Sequence, residues 1–342
     1  PRILLIYTSR TVGMIESPVT HSLPPFDFSH LIDNVPKVKK LDYDIEHIQF
    51  DPPLDSSDMN PEHWKQIARA IEENYDSFDG FVVLHGTDTM AYTASALSFM
   101  LENLSKPVII TGSQLPIGEV RTDGEENLIT AVQIAAARTP GGDEAMVQEV
   151  AILFEDFLWR GNRASKRSAD NFNAFRSFNY PELARIGLDI RFNTEALRRA
   201  DKGRKLKVHY GLDTGVAVVD IFPGITEGIL NHQLSAPGVK AVVMRTFGAG
   251  NAPTAPWFGN AVAHAIERGC IVVVVTQCPN GGVNLNLYEA GRKLAETGVI
   301  SGHDMTTEAA ITKLMSMLGR HPKAEEMRRV MSRSICGEVT VD

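Results

Sequence analysis

Residues 80–90, GFVVLHGTDTM, decide the fold class, because a short apolar run passes there directly into a polar turn. The run Gly80–Leu84 has no polar interruption and contains two valines, which is typical of a strand buried on both faces of a parallel sheet. Helical periodicity begins at Met90 and continues to Leu104. A strand, a turn and a helix in this order predict a βαβ unit and therefore an α/β protein.

The same alternation of apolar runs and helical segments extends along the chain on both sides of this unit. Further strands are predicted at Ile3–Tyr7, Pro107–Thr111, Val150–Phe154, Gly215–Ile221, Lys240–Thr246 and Cys270–Thr276. Further helices are predicted at Pro61–Tyr75, Glu126–Arg138, Trp257–Arg268, Leu287–Thr297, Thr307–Leu318 and Lys323–Arg333. We therefore expect two α/β domains, a larger N-terminal one with a mostly parallel sheet and a smaller C-terminal one whose parallel sheet is flanked by helices.

A segment without periodicity divides the 342 residues. Residues 191–212 lack an apolar repeat and contain the basic cluster RRADKGRK at 198–205, which is typical of a solvated loop. We interpret 191–212 as an interdomain linker. The N-terminal catalytic domain then covers residues 1–190, and the C-terminal domain covers residues 213–342.

Composition and charge exclude several classes of protein. Thirty-four lysines and arginines against 42 aspartates and glutamates give a net charge of -8, which argues against a nucleic-acid-binding surface. The apolar stretches are far shorter than the roughly 20 residues of a membrane-spanning helix. The chain begins in a strand-like run rather than a secretory signal, which predicts a cytoplasmic protein. Three cysteines without CxxC spacing predict reduced thiols and no metal site.

Three predicted strands of the N-terminal half end in hydroxyl-rich turns, at residues 8–13, 85–89 and 111–114. Ligands of an open parallel sheet bind beyond the carboxyl ends of its strands, so we expect these hydroxyls and Asp88 to meet there. Each turn taken singly has a structural explanation, since Ser, Thr, Asp and Gly are also the usual helix caps and turn residues.

Other catalytic patterns do not fit the sequence. GAGNAP at 248–253 has proline where the dinucleotide fingerprint needs glycine, and no P-loop motif occurs. TGSQL at 111–115 lacks the glycine pair of a nucleophile elbow, and no HExxH motif is present. A threonine nucleophile with a neighbouring base remains, for which Thr87, Asp88 and Lys166 provide the residue types. On spacing alone, Lys166 is more typical of an ordinary surface lysine.

Five blocks of sequence carry a family resemblance. LHGTDTM stands at 84–90, and the others are DSSDM at 55–59, TGSQ at 111–114, RGNRASK at 160–166 and GNAP at 250–253. Together they resemble the bacterial-type L-asparaginases, in particular the cytoplasmic type I branch. The first block matches the family's second signature residue for residue, and the similarity spans essentially the whole chain.

This resemblance implies a cofactor-free amidohydrolase that converts L-asparagine and water to L-aspartate and ammonia. Thr11 is then the first nucleophile, at the end of the first strand. Thr87, Asp88 and Lys166 form a second group that activates a hydroxyl or a water molecule. The reaction is acyl transfer, in which threonine attacks the side-chain amide, ammonia leaves and water releases aspartate.

The resemblance also implies a substrate-binding set and an assembly. Ser56, Ser57 and Asp88 would hold the α-carboxylate and α-ammonium groups of L-asparagine. Backbone N–H groups near Gly86 would face the developing oxyanion. Members of the family are oligomers, so we expect a homodimer or homotetramer in which Asn251 of a neighbouring subunit contributes to the site. No nucleic acid or membrane is an expected partner.

The first signature departs from the family pattern. Thr8-Ser9-Arg10-Thr11 stands where the family has Thr-Gly-Gly-Thr. Glycine permits backbone angles that other residues adopt only with strain, so this turn predicts impaired activity if φ is positive there. The alternative interpretation is a catalytically disabled amino-acid-binding protein of the same fold. A second alternative, the asparaginase-like subunit of a tRNA-dependent amidotransferase, carries an added N-terminal domain, whereas this sequence begins at the first strand.

A regulatory asparagine site occurs near the subunit interface in the type I branch. Ser165, Arg245 and Cys278 stand at positions that resemble it. The simpler interpretation of Cys278, which we favour from the sequence, is a small buried apolar residue.

Overall fold

The structure is a computed structural model that describes residues 1–9, 35–320 and 323–340. The chain forms two compact units, Pro1–Val208 and His209–Asp342. Each unit has its own main sheet and its own hydrophobic core. The fold class predicted from the sequence, a mixed α/β protein with a large N-terminal and a small C-terminal sheet, is confirmed.

An eight-stranded sheet forms the centre of the first unit, and five neighbouring strands in it are parallel. In spatial order the parallel strands are β2 (Asp44–Leu54), β1 (Arg2–Ser9), β3 (Gly80–Leu84), β5 (Val108–Thr111) and β6 (Val150–Phe154). Beyond β6 the sheet continues with antiparallel strands, which are β7 (Phe157–Arg160), β10 (Ala184–Ile186) and β11 (Ile190–Phe192).

Two short antiparallel pairs lie outside this sheet. β4 (Leu101–Glu102) pairs with β12 (Lys207–Val208). β8 (Ala164–Lys166) pairs with β9 (Phe175–Ser177), so that Lys166 stands opposite Phe175.

Among its described residues, the first unit has the α-helices α1 (Pro61–Glu73), α2 (Met90–Met100) and α3 (Gly124–Ala136). α1 begins where the sequence indicates, because the Asn60 side chain accepts hydrogen bonds from the backbone N–H groups of the first turn and Pro61 occupies the first helical position. Nearly every residue of α2 is buried, which explains why it shows almost no polar face.

The order of the parallel strands determines where a ligand can bind. β1 lies between β2 and β3, so the chain leaves β1 on one side for β2 and returns on the other side to β3. The crevice of an open parallel sheet opens beyond the carboxyl ends of the strands at such a reversal. The segments that follow β1 and β3 therefore border the expected site.

The second unit has a four-stranded parallel sheet in the order β13 (Val216–Asp220), β14 (Ala241–Thr246), β15 (Ile271–Thr276) and β16 (Ile300–Ser301). The apolar runs of β14 and β15 are buried on both faces between two hydrophobic clusters. The helices described in this unit are α4 (Glu227–Leu234), α5 (Pro256–Glu267), α6 (Glu289–Glu296), α7 (Thr307–Leu318) and α8 (Ala324–Met331).

The expected linker at 191–212 differs from the structure at its beginning. Ile190–Phe192 forms the edge strand β11, and Ala196 and Leu197 are buried in the core of the first unit. The backbone N–H of Arg198 also donates to the buried Glu149 carboxylate at 2.8 Å. The two units divide between Val208 and His209, near the end of the expected linker.

One predicted helix is shorter in the structure. Helical periodicity continues to Leu104, but α2 ends at Met100 because Leu101–Glu102 pairs with β12 and Asn103 adopts a positive φ of 61°. In the part of the chain that the structure describes, the helices are too short or too polar to cross a lipid bilayer.

Candidate active site

The turn after β3 brings a hydroxyl, a carboxylate and an ammonium group together. The Lys166 Nζ atom donates to Thr87 Oγ1 at 2.9 Å and to Asp88 Oδ1 at 2.7 Å. Lys166 is 79 positions from Thr87 and 78 positions from Asp88 in the sequence, so the tertiary fold brings these residues together. The structure thus brings together the three residues that the sequence proposes as the second catalytic group.

The Lys166 side chain is mostly buried but still reaches solvent. Its side chain is 19% exposed, whereas the Asp88 side chain is 66% exposed. The hairpin that carries Lys166 is anchored by Ala164 and Phe175, which are both buried. A lysine held in this way loses little conformational freedom when it contacts a bound molecule.

Asp88 has one carboxylate oxygen left for a ligand. Oδ1 accepts from Lys166, and Oδ2 has no partner among the residues that the structure describes. A carboxylate half satisfied by lysine and open to solvent is suited to bind the ammonium group of a small molecule.

The loop before α1 places Ser56 beside the same turn. The Thr89 hydroxyl donates to the Ser56 carbonyl at 2.6 Å, and Ser56 is buried. A Cβ atom at Gly86 would lie 2.5 Å from Ser56 Oγ and 3.3 Å from Ser9 Oγ. The turn therefore approaches the Ser56 loop and the end of β1 more closely than any residue with a side chain allows.

Ser57 belongs to the same loop but is exposed. The Asp55 carboxylate accepts from the Ser57 backbone N–H at 2.9 Å and from its hydroxyl at 2.8 Å. Asp55 thus shapes the loop, and a ligand that bound the Ser57 hydroxyl would compete with Asp55 for it.

A histidine that the sequence did not single out lies directly under the turn. His85 is fully buried, its Nδ1 atom lies 2.6 Å from the Gly86 carbonyl oxygen, and its Nε2 atom lies 2.8 Å from Thr93 Oγ1. Burial lowers the pKa of His85 to about 4. His85 is therefore neutral at pH 7. Its position directly after an apolar strand was visible in the sequence, but its contact with Thr93 depends on the packing of α2 against that strand.

The backbone at the end of β1 shows whether the first non-glycine residue of the altered signature is strained. Ser9 is the last residue of β1, is 2% exposed, and is not among the described residues with a positive φ. The strain expected from a non-glycine residue is therefore absent at Ser9. Arg10 and Thr11 lie outside the described residues.

The remaining candidates are distributed over both units. Asn251 lies in the second unit, in a tight turn where its backbone N–H donates to the Phe247 carbonyl at 2.8 Å. Arg245, also in the second unit, donates from Nη1 to both carboxylate oxygens of Asp220. Cys278 is exposed after β15, so its interpretation as a small buried residue is wrong. Ser165 lies in the first unit, in β8.

Among residues 1–9, 35–320 and 323–340, no three His, Cys, Asp or Glu side chains stand where they could hold one metal ion. The chemistry of the described site comes from a lysine, a hydroxyl and a carboxylate, which are groups suited to proton transfer and to nucleophile activation. Fold and candidate site together define an α/β protein with a lysine, a hydroxyl and a carboxylate in contact beyond the carboxyl end of β3.

Comparison with known proteins identifies the family. Residues 2–198 match the family model "Asparaginase, N-terminal", and residues 215–331 match "Glutaminase/Asparaginase C-terminal domain". The chain is 43% identical over 342 residues to L-asparaginase 1 of Escherichia coli K12, with 99% of this chain and 98% of that protein covered. The chain belongs to the asparaginase family.

Solved structures agree with this result. The crystal structure of L-asparaginase I from Vibrio cholerae superimposes with a TM-score of 0.89 at 41% identity and covers 99% of both chains. The thermostable L-asparaginase from Thermococcus kodakarensis superimposes with a TM-score of 0.91 at 34% identity and covers 100% of both chains. The family predicted from the sequence blocks is confirmed.

Proposed function

We propose that the protein is an L-asparaginase, which hydrolyses L-asparagine to L-aspartate and ammonia. The contact of Lys166 Nζ with both Thr87 Oγ1 and Asp88 Oδ1 carries the proposal, because it combines a proton-transfer pair with a carboxylate that recognises an amino acid. The relatives named L-asparaginase, which match over almost the whole chain, support the choice of substrate.

The reaction proceeds in two acyl-transfer steps. Thr11 attacks the side-chain amide carbon, its hydroxyl proton is passed to the amide nitrogen, and ammonia leaves. Water then adds to the resulting ester and releases L-aspartate and the free threonine. In both steps Thr87 and Lys166 carry the proton between the attacking oxygen and the leaving atom.

Substrate orientation depends on the polar groups around this pair. The open Oδ2 oxygen of Asp88 binds the α-ammonium group, and the loop of Ser56 and Ser57 binds the α-carboxylate. Backbone N–H groups of the turn at Gly86 face the oxyanion of the tetrahedral intermediate. This arrangement needs no cofactor.

The test is ammonia release from L-asparagine by the purified protein, with L-glutamine as the comparison substrate. The variant Ser9→Gly/Arg10→Gly is assayed beside it, because it restores the family's double glycine. Turnover by both proteins supports an active L-asparaginase. Turnover by the double variant alone supports the alternative, a disabled amino-acid-binding protein, and no turnover by either folded protein contradicts the proposal.

We propose further that the protein is cytoplasmic and forms a homodimer or homotetramer in which Asn251 of a neighbouring subunit completes the site. Light scattering on the purified protein measures the mass of the assembly. A monomer that turns over L-asparagine at full rate contradicts this part of the proposal, and so does an Asn251→Ala variant with an unchanged KM.

A role in regulation by L-asparagine is also proposed for Ser165 of the first unit and, separately, for Arg245 and Cys278 of the second unit. It predicts that the rate rises sigmoidally with L-asparagine concentration and that Arg245→Ala makes the curve hyperbolic. A hyperbolic curve for the unaltered protein contradicts regulation by asparagine.

A further inference from the structure

Three buried side chains form a continuous hydrogen-bonded chain beneath the turn after β3. The Trp64 indole N–H donates to Thr93 Oγ1 at 3.0 Å, and Thr93 Oγ1 lies 2.8 Å from His85 Nε2. His85 Nδ1 lies 2.6 Å from the Gly86 carbonyl oxygen. We call Trp64, Thr93 and His85 the histidine chain. Trp64 belongs to α1 and Thr93 to α2, so both helices take part in placing the histidine.

The partners determine the tautomer of the imidazole. A carbonyl oxygen can only accept, so the proton of a neutral His85 must be on Nδ1. Nε2 is then an acceptor, and the Thr93 hydroxyl must donate to it. The Trp64 indole can only donate, so it provides the hydrogen bond that the Thr93 oxygen accepts. Every donor in the histidine chain thus points in one direction, from Trp64 towards Gly86.

This direction fixes the orientation of one peptide group. The Gly86 carbonyl points inward to His85, which is fully buried. In a planar trans peptide the carbonyl and the following N–H point to opposite sides, so the Thr87 N–H points away from His85. The Thr87 N–H has no acceptor among the residues that the structure describes. It is a backbone donor in the same residue as the Thr87 hydroxyl that Lys166 contacts.

We propose that His85 is a positioning residue, which, as the Nδ1–H tautomer held by Thr93 and Trp64, orients the Gly86–Thr87 peptide so that the Thr87 N–H donates to the oxyanion of the reaction. This inference rests on the proposed function for the identity of the substrate. His85 itself does not touch the substrate. Its effect on the reaction passes through the peptide group alone.

A purely structural role would not require this arrangement. An apolar side chain of similar volume could fill the space, and it would avoid the cost of burying an imidazole, an indole N–H and a hydroxyl. Instead, each polar group of the three side chains has a hydrogen-bond partner, and the histidine chain ends on the Gly86 carbonyl oxygen. Gly86 has no space for a side chain, so its peptide cannot be oriented by a side chain of its own.

Two matched pairs of variants test the inference by kinetics. In His85→Asn a side-chain N–H remains at the position of Nδ1, whereas His85→Leu has similar bulk and no donor. Thr93→Ser keeps the hydroxyl of the histidine chain, and Thr93→Val replaces it with a methyl group. We expect kcat for L-asparagine to fall about 10²-fold in His85→Leu, as after loss of one oxyanion donor, and less than about 10-fold in His85→Asn and Thr93→Ser.

The split between kcat and KM distinguishes positioning from general damage to the site. The Ser56 loop and Asp88 remain in place, so KM in His85→Leu should stay within about threefold of the unaltered value, because the oxyanion forms only in the transition state. Equal loss of kcat in His85→Asn and His85→Leu, or a loss confined to KM, would overturn the inference.

Nitrogen-15 NMR of histidine-labelled protein tests the tautomer without any turnover. We expect Nδ1 of His85 to be protonated and Nε2 to be unprotonated at pH 7, with the signal assigned by its loss in His85→Asn. Protonation on Nε2 would overturn the inference even in an active enzyme.

Failure of the proposed function is distinguishable from failure of this inference. If the unaltered protein releases no ammonia, L-aspartate is used as a binding probe, and the Thr87 amide signal is followed. A shift on binding in the unaltered protein and in His85→Asn, but not in His85→Leu, supports positioning. An identical response in all three proteins contradicts it.

Discussion

Gly86 has no room for a side chain, and this makes the close approach between its turn and the Ser56 loop testable. A methyl group at position 86 would lie 2.5 Å from Ser56 Oγ and 2.7 Å from Ser56 Cβ. We expect Gly86→Ala to destabilise the protein by about 1–3 kcal/mol, as other overpacked positions do, and to abolish ammonia release because Ser56 is displaced.

A second substitution distinguishes this local clash from other effects of alanine. Ser56→Gly removes both atoms that the methyl group would meet. In the Ser56→Gly background, Gly86→Ala should therefore cost much less free energy of unfolding than it does in the unaltered protein. A double-mutant cycle in urea measures this difference. Additive losses in the double variant would contradict the clash.

His85 also gives the protein a predictable response to acid. Burial holds its native pKa at about 4, below the ordinary histidine value of 6.5, so between these pH values the unfolded chain binds a proton that the native protein does not. The contribution of His85 to stability is complete above pH 6.5 and falls as the pH drops to about 4, by about 3 kcal/mol in all.

The measurement is the urea midpoint at pH 7.5 and at pH 5 for the unaltered protein and for His85→Asn. The difference between the two midpoints should be smaller in His85→Asn, which cannot titrate at position 85. An equal pH dependence in both proteins would show that His85 is not held neutral.

The sequence predicted individual site residues only where they belong to a recognisable motif. The sequence proposed Thr87, Asp88 and Lys166, and these three side chains are in contact. It gave no reason to connect Trp64, Thr93 and His85, because their contacts arise from the packing of two helices under a strand. A lone histidine in an apolar run has the same appearance in the sequence whether it positions a peptide or merely fills the core.

Among the elements, α7 and the C-terminal segment are joined by an ion pair that is removed from solvent. Lys313 Nζ lies 2.6 Å from Glu338 Oε1, and both side chains are 0% exposed. Burial raises the pKa of Glu338, but Lys313 and the Cys336 backbone N–H outweigh it and hold the pKa below its ordinary value. The carboxylate also accepts from the Ile335 N–H at 2.9 Å.

This pair predicts a large effect of a single substitution. Lys313→Met leaves the Glu338 charge buried without its partner, so we expect a loss of about 3–5 kcal/mol in the free energy of unfolding. Lys313→Met/Glu338→Gln removes both charges and should recover a substantial part of it. A double variant no more stable than Lys313→Met would contradict the role of the uncompensated charge.

Elements with a strong local pattern were predictable from the sequence, and those made by long-range pairing were not. The buried strands β3 and β6 coincide with their apolar runs, and α7 coincides with its predicted range. β2 was not predicted, since Asp44–Leu54 alternates irregularly and contains two prolines. It is a strand because it pairs with β1 along six consecutive residues.

At the scale of the whole molecule, the alternation of strands and helices was sufficient to predict two α/β units with parallel sheets. The boundary between the two units was harder to predict from the sequence. The residues after β11 are mostly polar and aperiodic, but they pack on the first unit through buried apolar side chains and a hydrogen bond to the Glu149 carboxylate. The composition of a segment indicates how polar it is, but it does not indicate which surface of the protein the segment packs against.

The central claim is that Lys166, Thr87 and Asp88 act as one group in the hydrolysis of L-asparagine. The most direct measurement is kcat for ammonia release by the unaltered protein, by Lys166→Met and by Lys240→Met as the control. Lys240 is also a lysine paired with an aspartate, at 2.6 Å from Asp213, but it lies in the second unit. We predict that Lys166→Met lowers kcat by about 10²- to 10⁴-fold with the melting temperature and the assembly unchanged, and that Lys240→Met keeps the full rate. A full rate in Lys166→Met would contradict the claim.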